Sequence, residues 1–349
     1  MTMFQLTPSE IRKATISCLE AELVPFITSS PGLGKSSVVR QIADDFGLVL
    51  IDLRLSQCTP EDLMGLPMRE GKKASFMPFK MFPLAGDEIP KGMNGWLLFL
   101  DEFNSAFKSV QAAAYKLILD RMVGQEQLHE SVFPVCAGNL ATDRAIVTQQ
   151  STAMQSRLVH LEMKVSHKDF IKHAIQQDFD HRIMGFLEFQ PHLVHNFQPD
   201  HQDRTFACPR TWEFASKLIK NKPLEAISLP LLAGTLSDGV AVEFHSFMEE
   251  YAHIPTIGAV LKSPETVEVP DKPSTKYAVL TMLVQRMKAE DFQPISEYAS
   301  RFPVEFQVIF FRNVRNRFPK LQREKVYIRA IKHLTEFLND DDDTATLAA

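Results

Sequence analysis

Residues 24–42 dictate a specific piece of chain geometry. Val24-Pro25-Phe26-Ile27 is short and apolar, as a buried strand is, and Ser29-Ser30-Pro31-Gly32-Leu33-Gly34-Lys35-Ser36 follows almost at once. Two glycines in a three-residue stretch, with proline before them, suit a tight turn that visits positive φ. Beyond the turn, Val38, Val39 and Ile42 recur at helical spacing. The local outcome is strand, loop, helix.

A loop of this kind turns its backbone amides inward at the start of a helix and so holds an anion without one basic side chain per oxygen. Ser30, Pro31, Gly32, Leu33, Gly34, Lys35, Ser36 and Ser37 are the expected cradle for a phosphate chain. Lys35 is expected to reach the outer phosphates, and the Ser36 hydroxyl suits Mg²⁺. The first position of the usual pattern is Ser29 rather than Gly. Position 37 is Ser, so the third glycine of a dinucleotide fingerprint is missing. The nucleophile-elbow pattern G-x-S-x-G is also absent.

About 60 residues on, Trp96-Leu97-Leu98-Phe99-Leu100 is a second buried strand and ends in Asp101-Glu102. A carboxylate where a strand leaves the sheet can hold a metal. Its neighbour can polarise a water for in-line attack on a phosphate. Asp101 is therefore expected at Mg²⁺ with Ser36, and Glu102 is the expected catalytic base. The two motifs together point to a nucleoside triphosphatase binding ATP and Mg²⁺.

The rest of the first half reads as a helix opened by Thr7-Pro8-Ser9-Glu10, a buried strand Leu48–Leu53 and an irregular, Met- and Pro-rich stretch Gln57–Asn94. A helix over Asn104–Arg121 follows, with Val110, Ala113, Ala114, Leu117 and Ile118 on one face. The strands Val132–Ala137 and Leu158–Met163 come next, and Pro134 suggests a sheet margin or an irregular ladder for the former. Strands alternating with helices imply a parallel sheet covered on both faces. Beyond Ser166 the pattern is helical, broken by prolines.

With these motifs the chain resembles an AAA+ ATPase, and within that family the MoxR group. The strand Val135-Cys136-Ala137-Gly138-Asn139 resembles sensor 1. Asp143-Arg144 followed by Ala153-Met154-Gln155-Ser156-Arg157 resembles the segment bearing the arginine finger, and Cys208-Pro209-Arg210 resembles sensor 2. The MoxR likeness rests on Glu61-Asp62-Leu63-Met64-Gly65-Leu66-Pro67, on Asp101-Glu102-Phe103-Asn104 with Val110-Gln111-Ala112-Ala113-Ala114, and on Leu117–Gly124. Leu140 stands where the family usually has proline.

The resemblance implies an α/β P-loop NTPase fold: an αβα core with a parallel five-stranded sheet, a small helical lid and a helical C-terminal segment. It divides the chain into a core over 1–165, a lid over 166–253, a helical segment over 254–339 and an acidic tail over 340–349. It implies ATP between core and lid. Asn139 would orient the attacking water, Arg157 would reach a neighbouring subunit's γ-phosphate, and Arg210 would contact phosphate. Arg121 and Arg144 are weaker candidates for contact between subunits. A homo-oligomeric ring, most simply a hexamer, follows, with a protein client and a separate partner carrying a von Willebrand factor A (VWA) domain. The alternatives are a nucleotide-gated scaffold with little hydrolysis and a nucleic-acid motor or loader.

Composition narrows the classes. A formal net charge of −5 argues against a generic nucleic-acid binder, although Arg301–Lys332 holds nine Lys or Arg against Glu305 and Glu324. Cys18, Cys58, Cys136 and Cys208 are far apart and suggest a reduced, cytoplasmic setting. No run has the apolar length of a membrane span, so no membrane insertion is expected. His192 and His195 lack the further ligands that zinc needs. Met64, Met68, Met77, Met81 and Met93, with Phe76, Phe79 and Phe82, suit either a local core or a surface that grips a client, Phe76 or Phe79 being the expected contact.

Overall fold

A computed structural model describes residues 4–143, 148, 150–250 and 254–334. Arg144, one of the weaker arginine candidates, and the acidic tail lie outside the described residues. The chain forms two compact units, residues 1–166 with 198–201, and residues 167–197 with 202–349.

In the first unit the strands are β1 (Gln5–Leu6), β2 (Val24–Ser29), β3 (Leu48–Arg54), β4 (Leu66–Glu70), β5 (Lys73–Met77), β6 (Gly95–Asp101), β7 (Met122–Val123), β8 (Glu126–Gln127), β9 (Val132–Asn139) and β10 (Leu158–Met163). The helices are α1 (Pro8–Glu20), α2 (Lys35–Phe46), α3 (Pro60–Met64), α4 (Lys108–Leu119) and α5 (Thr152–Gln155). Six strands form one parallel sheet in the order β1-β10-β2-β9-β6-β3. The five long strands are those expected, and β1 adds a two-residue sixth at the margin.

Alternation along β6 explains the layers. Leu97 and Phe99 face α1 and α2, with Ile11, Val38, Val39 and Ile42, whereas Leu98 and Leu100 face α4, with Val110, Ala114 and Leu117. Both faces of a parallel sheet are thus dry, which requires continuous apolar strands. The capping box of Thr7 and Glu10 starts α1, with Pro8 in its first turn. This is the expected α/β architecture, a parallel sheet covered by helices on both faces.

Three local expectations are corrected. Pro134 does not mark a margin, because β9 is interior, between β2 and β6. The ladder to β2 begins only at Cys136, so Pro134 sits where β6 alone is paired and a missing N–H costs little. The strand β3, apolar enough for full burial, is the sheet's edge and stays half-buried. The stretch 57–94 is not wholly irregular: it contains α3 and the β4–β5 hairpin. In that stretch Phe82 is buried and Phe79 packs partly on the core, whereas Met68, Phe76 and Met77 are exposed (47%, 37% and 59%).

The second unit is helical: α6 (His167–Gln176), α7 (His181–Phe189), α8 (Pro209–Ile219), α9 (Leu229–Leu236), α10 (Asp238–Glu250), α11 (Ile257–Lys262), α12 (Pro273–Arg286), α13 (Phe292–Ala299), α14 (Val304–Arg317) and α15 (Lys325–Ile331). It holds two apolar clusters, one around Phe186, Trp212 and Phe244, the other around Leu283, Phe310 and Phe311. The helix α12 serves both, Ala278 packing in the first and Val279 and Leu283 in the second. No helix among the described residues is long and apolar enough to cross a membrane.

Candidate phosphate-binding site

The loop between β2 and α2 has the backbone its glycines were expected to supply. Gly32 and Gly34 stand at φ 78° and 95°, in the region that side chains disfavour. Gly34 is the N-cap of α2, and no side chain caps that helix end. The N-cap residue therefore offers no acceptor to the first-turn amides of this twelve-residue helix. Ser29, at the pattern's first position, is unstrained. It ends β2 outside the positive-φ residues, is fully buried, and its hydroxyl donates to the Ser30 carbonyl at 2.8 Å.

Lys35 is held by oxygens from two strands. Its Nζ donates to Ser29 Oγ at 3.0 Å, to the Ser29 carbonyl at 3.3 Å and to Asn139 Oδ1 at 3.2 Å. The ammonium thus lies between the ends of β2 and β9, which are neighbours in the sheet. Next to it, Ser36 Oγ donates to Asp101 Oδ2 at 3.1 Å, and Asp101 Oδ1 accepts the Glu102 amide at 2.8 Å. A hydroxyl and a carboxylate oxygen this close form a pair of hard donors suited to Mg²⁺. Among the described residues no three His, Cys, Asp or Glu side chains gather into a metal cluster, so this pair would share the ion with phosphate and water oxygens.

Lys35, Ser36, Asp101, Glu102 and Asn139 are brought together. Arg157 is not tied to them. It is exposed, and its Nη1 donates to the Ala153 carbonyl at 2.9 Å on its own short helix α5. Arg210 lies in the first turn of α8 in the second unit, exposed. Arg121 is half-buried rather than a surface side chain: it donates to the Val132 carbonyl at 3.0 Å, and burial pushes its guanidinium down from the usual arginine range.

Three residues escaped the sequence reading as site components. Ser56, in the turn after β3, donates a very short hydrogen bond to Glu102 Oε2. Glu102 itself stands at φ 54°, a left-handed conformation unusual for a glutamate. Asn104 clasps the backbone of Asn139, its Nδ2 donating to the Asn139 carbonyl at 2.8 Å and its Oδ1 accepting the Asn139 amide at 3.1 Å. A Cβ on Gly138 would overlap Asn104 Oδ1, which is why the strand carries glycine there. Asp52 lies on β3 near Asp101. Burial and then the Asp101 charge push its carboxyl up, while Arg40 sits 4.0 Å away. The only signals for Ser56 and Asn104 were their places just after strands.

No family model matches the chain, and no curated protein matches it. Among solved structures it is similar to a RuvB mutant of Thermotoga maritima, at 16% identity over 74% of this chain and 78% of that one, with a TM-score of 0.38. It is also similar to the replication initiator DnaA bound to AMPPCP and single-stranded DNA, at 16% identity over 95% and 91%, TM-score 0.35. A third is NtrX from Brucella abortus, at 14% identity over 97% and 69%, TM-score 0.33. These likenesses are loose, and the functional conclusion below rests on the site geometry.

Proposed function

We propose that this protein is an ATP hydrolase of AAA+ type, of the MoxR kind, that works as a homo-oligomeric ring to remodel a protein client, together with a separate VWA-domain partner. The observation that carries the hydrolase reading is the convergence of Lys35, Ser36, Asp101 and Asn139 at the ends of adjacent strands, beneath an uncapped helix terminus.

The roles follow from chemistry. The amides of Gly32 to Ser37 receive the phosphate chain, and Lys35 matches its outer charge. Ser36 and Asp101 would hold Mg²⁺, which would supply positive charge against the phosphate oxygens. Glu102 takes the proton of the attacking water, and Asn139 fixes both that water and Lys35. Arg157 is assigned to the neighbouring subunit's phosphate and Arg210 to phosphate as sensor 2. The first role requires a heterologous interface, and one that closes yields a ring.

The Ser56 bond to Glu102 lends weight to one alternative, a nucleotide-gated scaffold that hydrolyses slowly, because a base already engaged is a poorer base. Single-turnover phosphate release separates the two. The hydrolase reading expects burst-free turnover that Glu102→Gln abolishes while ATP stays bound. Turnover undiminished in that variant overturns it.

A further inference from the structure

The net charge of −5 conceals a strongly cationic end of the second unit, where Arg301–Lys332 carries nine Lys or Arg and two acids. The fold consumes some of these. Arg301 donates to the carbonyls of Pro264 and Val267, Arg312 forks onto Glu188 at 2.7 and 2.9 Å, and Arg317 lies 3.6 Å from Asp178. Lys320, Arg323, Lys325 and Arg329 are different. All four are exposed, and none has an ion-pair partner among the described residues.

Tyr327 is buried and its hydroxyl donates to the Phe311 carbonyl at 3.0 Å, which fixes the rotation of α15. Lys325 and Arg329 then lie at i and i+4 on the outer face, about 6 Å apart. Like charges at i, i+4 destabilise a helix, and α15 is too short to hold itself by propensity. The pair is therefore a feature that the fold carries at a cost.

We propose that this surface binds nucleic acid through its phosphate backbone. Four exposed, unpaired cations within ten residues of chain, Lys320, Arg323, Lys325 and Arg329, match a polyanion. A lipid surface calls for a broad apolar face with aromatics, and among the described residues the outer face of α15 offers Val326 and Ile328. A stable protein interface calls for an apolar centre, which is also lacking. Binding should be local and salt-sensitive, because the rest of the chain is acidic on balance.

The test uses the full chain without ATP, so that its outcome is separate from the hydrolase reading. The protein is titrated into a fluorescein-labelled oligo-dT of about 30 nucleotides between about 50 and 200 mM salt, and anisotropy is followed. The expected log–log salt slope is about −3, that of roughly four phosphate contacts on a single strand. Reversing Lys320, Arg323, Lys325 and Arg329 to Glu should weaken binding at least ~10-fold, and reversing Lys80 and Lys91 in the first unit should not. The milder Lys325→Ala/Arg329→Ala pair should flatten the slope by about one, which covers a failure of the fourfold variant to fold. Absence of salt-dependent binding, unchanged binding in both variants, or tighter binding of a poly-glutamate peptide than of the oligonucleotide each overturns the proposal.

Discussion

The Ser56 hydroxyl, at the end of the sheet's edge strand, donates to the Glu102 carboxylate at the end of the neighbouring strand. A donor on a carboxylate occupies one of its lone pairs and fixes its direction. Ser56→Ala is expected to raise basal turnover about 3- to 10-fold, the effect of one hydrogen bond of about 1 kcal/mol. Steady-state phosphate release measures it; a rate at or below wild type shows that Ser56 aims the base rather than restraining it.

Lys35 sits among three oxygens that a phosphate would replace or join. Lys35→Ala should weaken ATP binding more than ~10-fold by calorimetry, as expected for loss of a charge-assisted contact. Ser36→Ala should instead leave ADP affinity without Mg²⁺ intact and reduce the gain that Mg²⁺ confers. Equal loss with and without the metal contradicts the assignment of the Ser36–Asp101 pair.

The Asn104 clasp predicts a specific strain. Gly138→Ala should destabilise the first unit by about 1–3 kcal/mol, since the new methyl meets Asn104 Oδ1. Adding Asn104→Ala should return part of that loss, a coupling that a thermal double-mutant cycle reads directly. Strict additivity of the two changes would rule out the clash.

Acid should weaken the second unit through His181. Burial holds its pKa down at about 4, below the ordinary 6.5, with Asp180 opposing and Arg286 and Arg182 reinforcing. A depressed histidine contributes stability that is present above pH 6.5 and lost as pH falls through 4. The loss can reach about 3 kcal/mol. His181→Gln should flatten the decline of Tm across that window; an unaltered decline moves the cause to another group.

Arg157 is exposed, next to its own helix, and not bonded to Lys35 or Asp101. If it acts on a neighbouring copy, Arg157→Ala should keep ATP affinity and lose hydrolysis. Mixing it with Glu102→Gln subunits should restore part of the rate, because some interfaces then hold an intact pair. No recovery at any mixing ratio refutes action between subunits.

Much of the core was legible because its code is local. Glycines at 32 and 34 have few alternatives to a turn, and the inner faces of α2 and α4 follow from spacing alone. What escaped depends on partners far along the chain. Nothing near β3 says that it is the edge, since its apolar run is that of an interior strand and only sheet order exposes it. Pro134 misled for the same reason: its cost depends on where a neighbouring strand begins. Ser56 and Glu102 are 46 apart in sequence, and Asn104 and Asn139 are 35 apart. No periodicity links such pairs; they meet because parallel strands end at one rim.

The left-handed backbone of Glu102 puts folding and chemistry at odds. Glycine would relax that residue and should raise thermal tolerance by about 1 kcal/mol. Selection for heat resistance alone would thus drift toward Glu102→Gly and yield a sturdier, inert protein. An acid at such a spot places the base at the cost of durability.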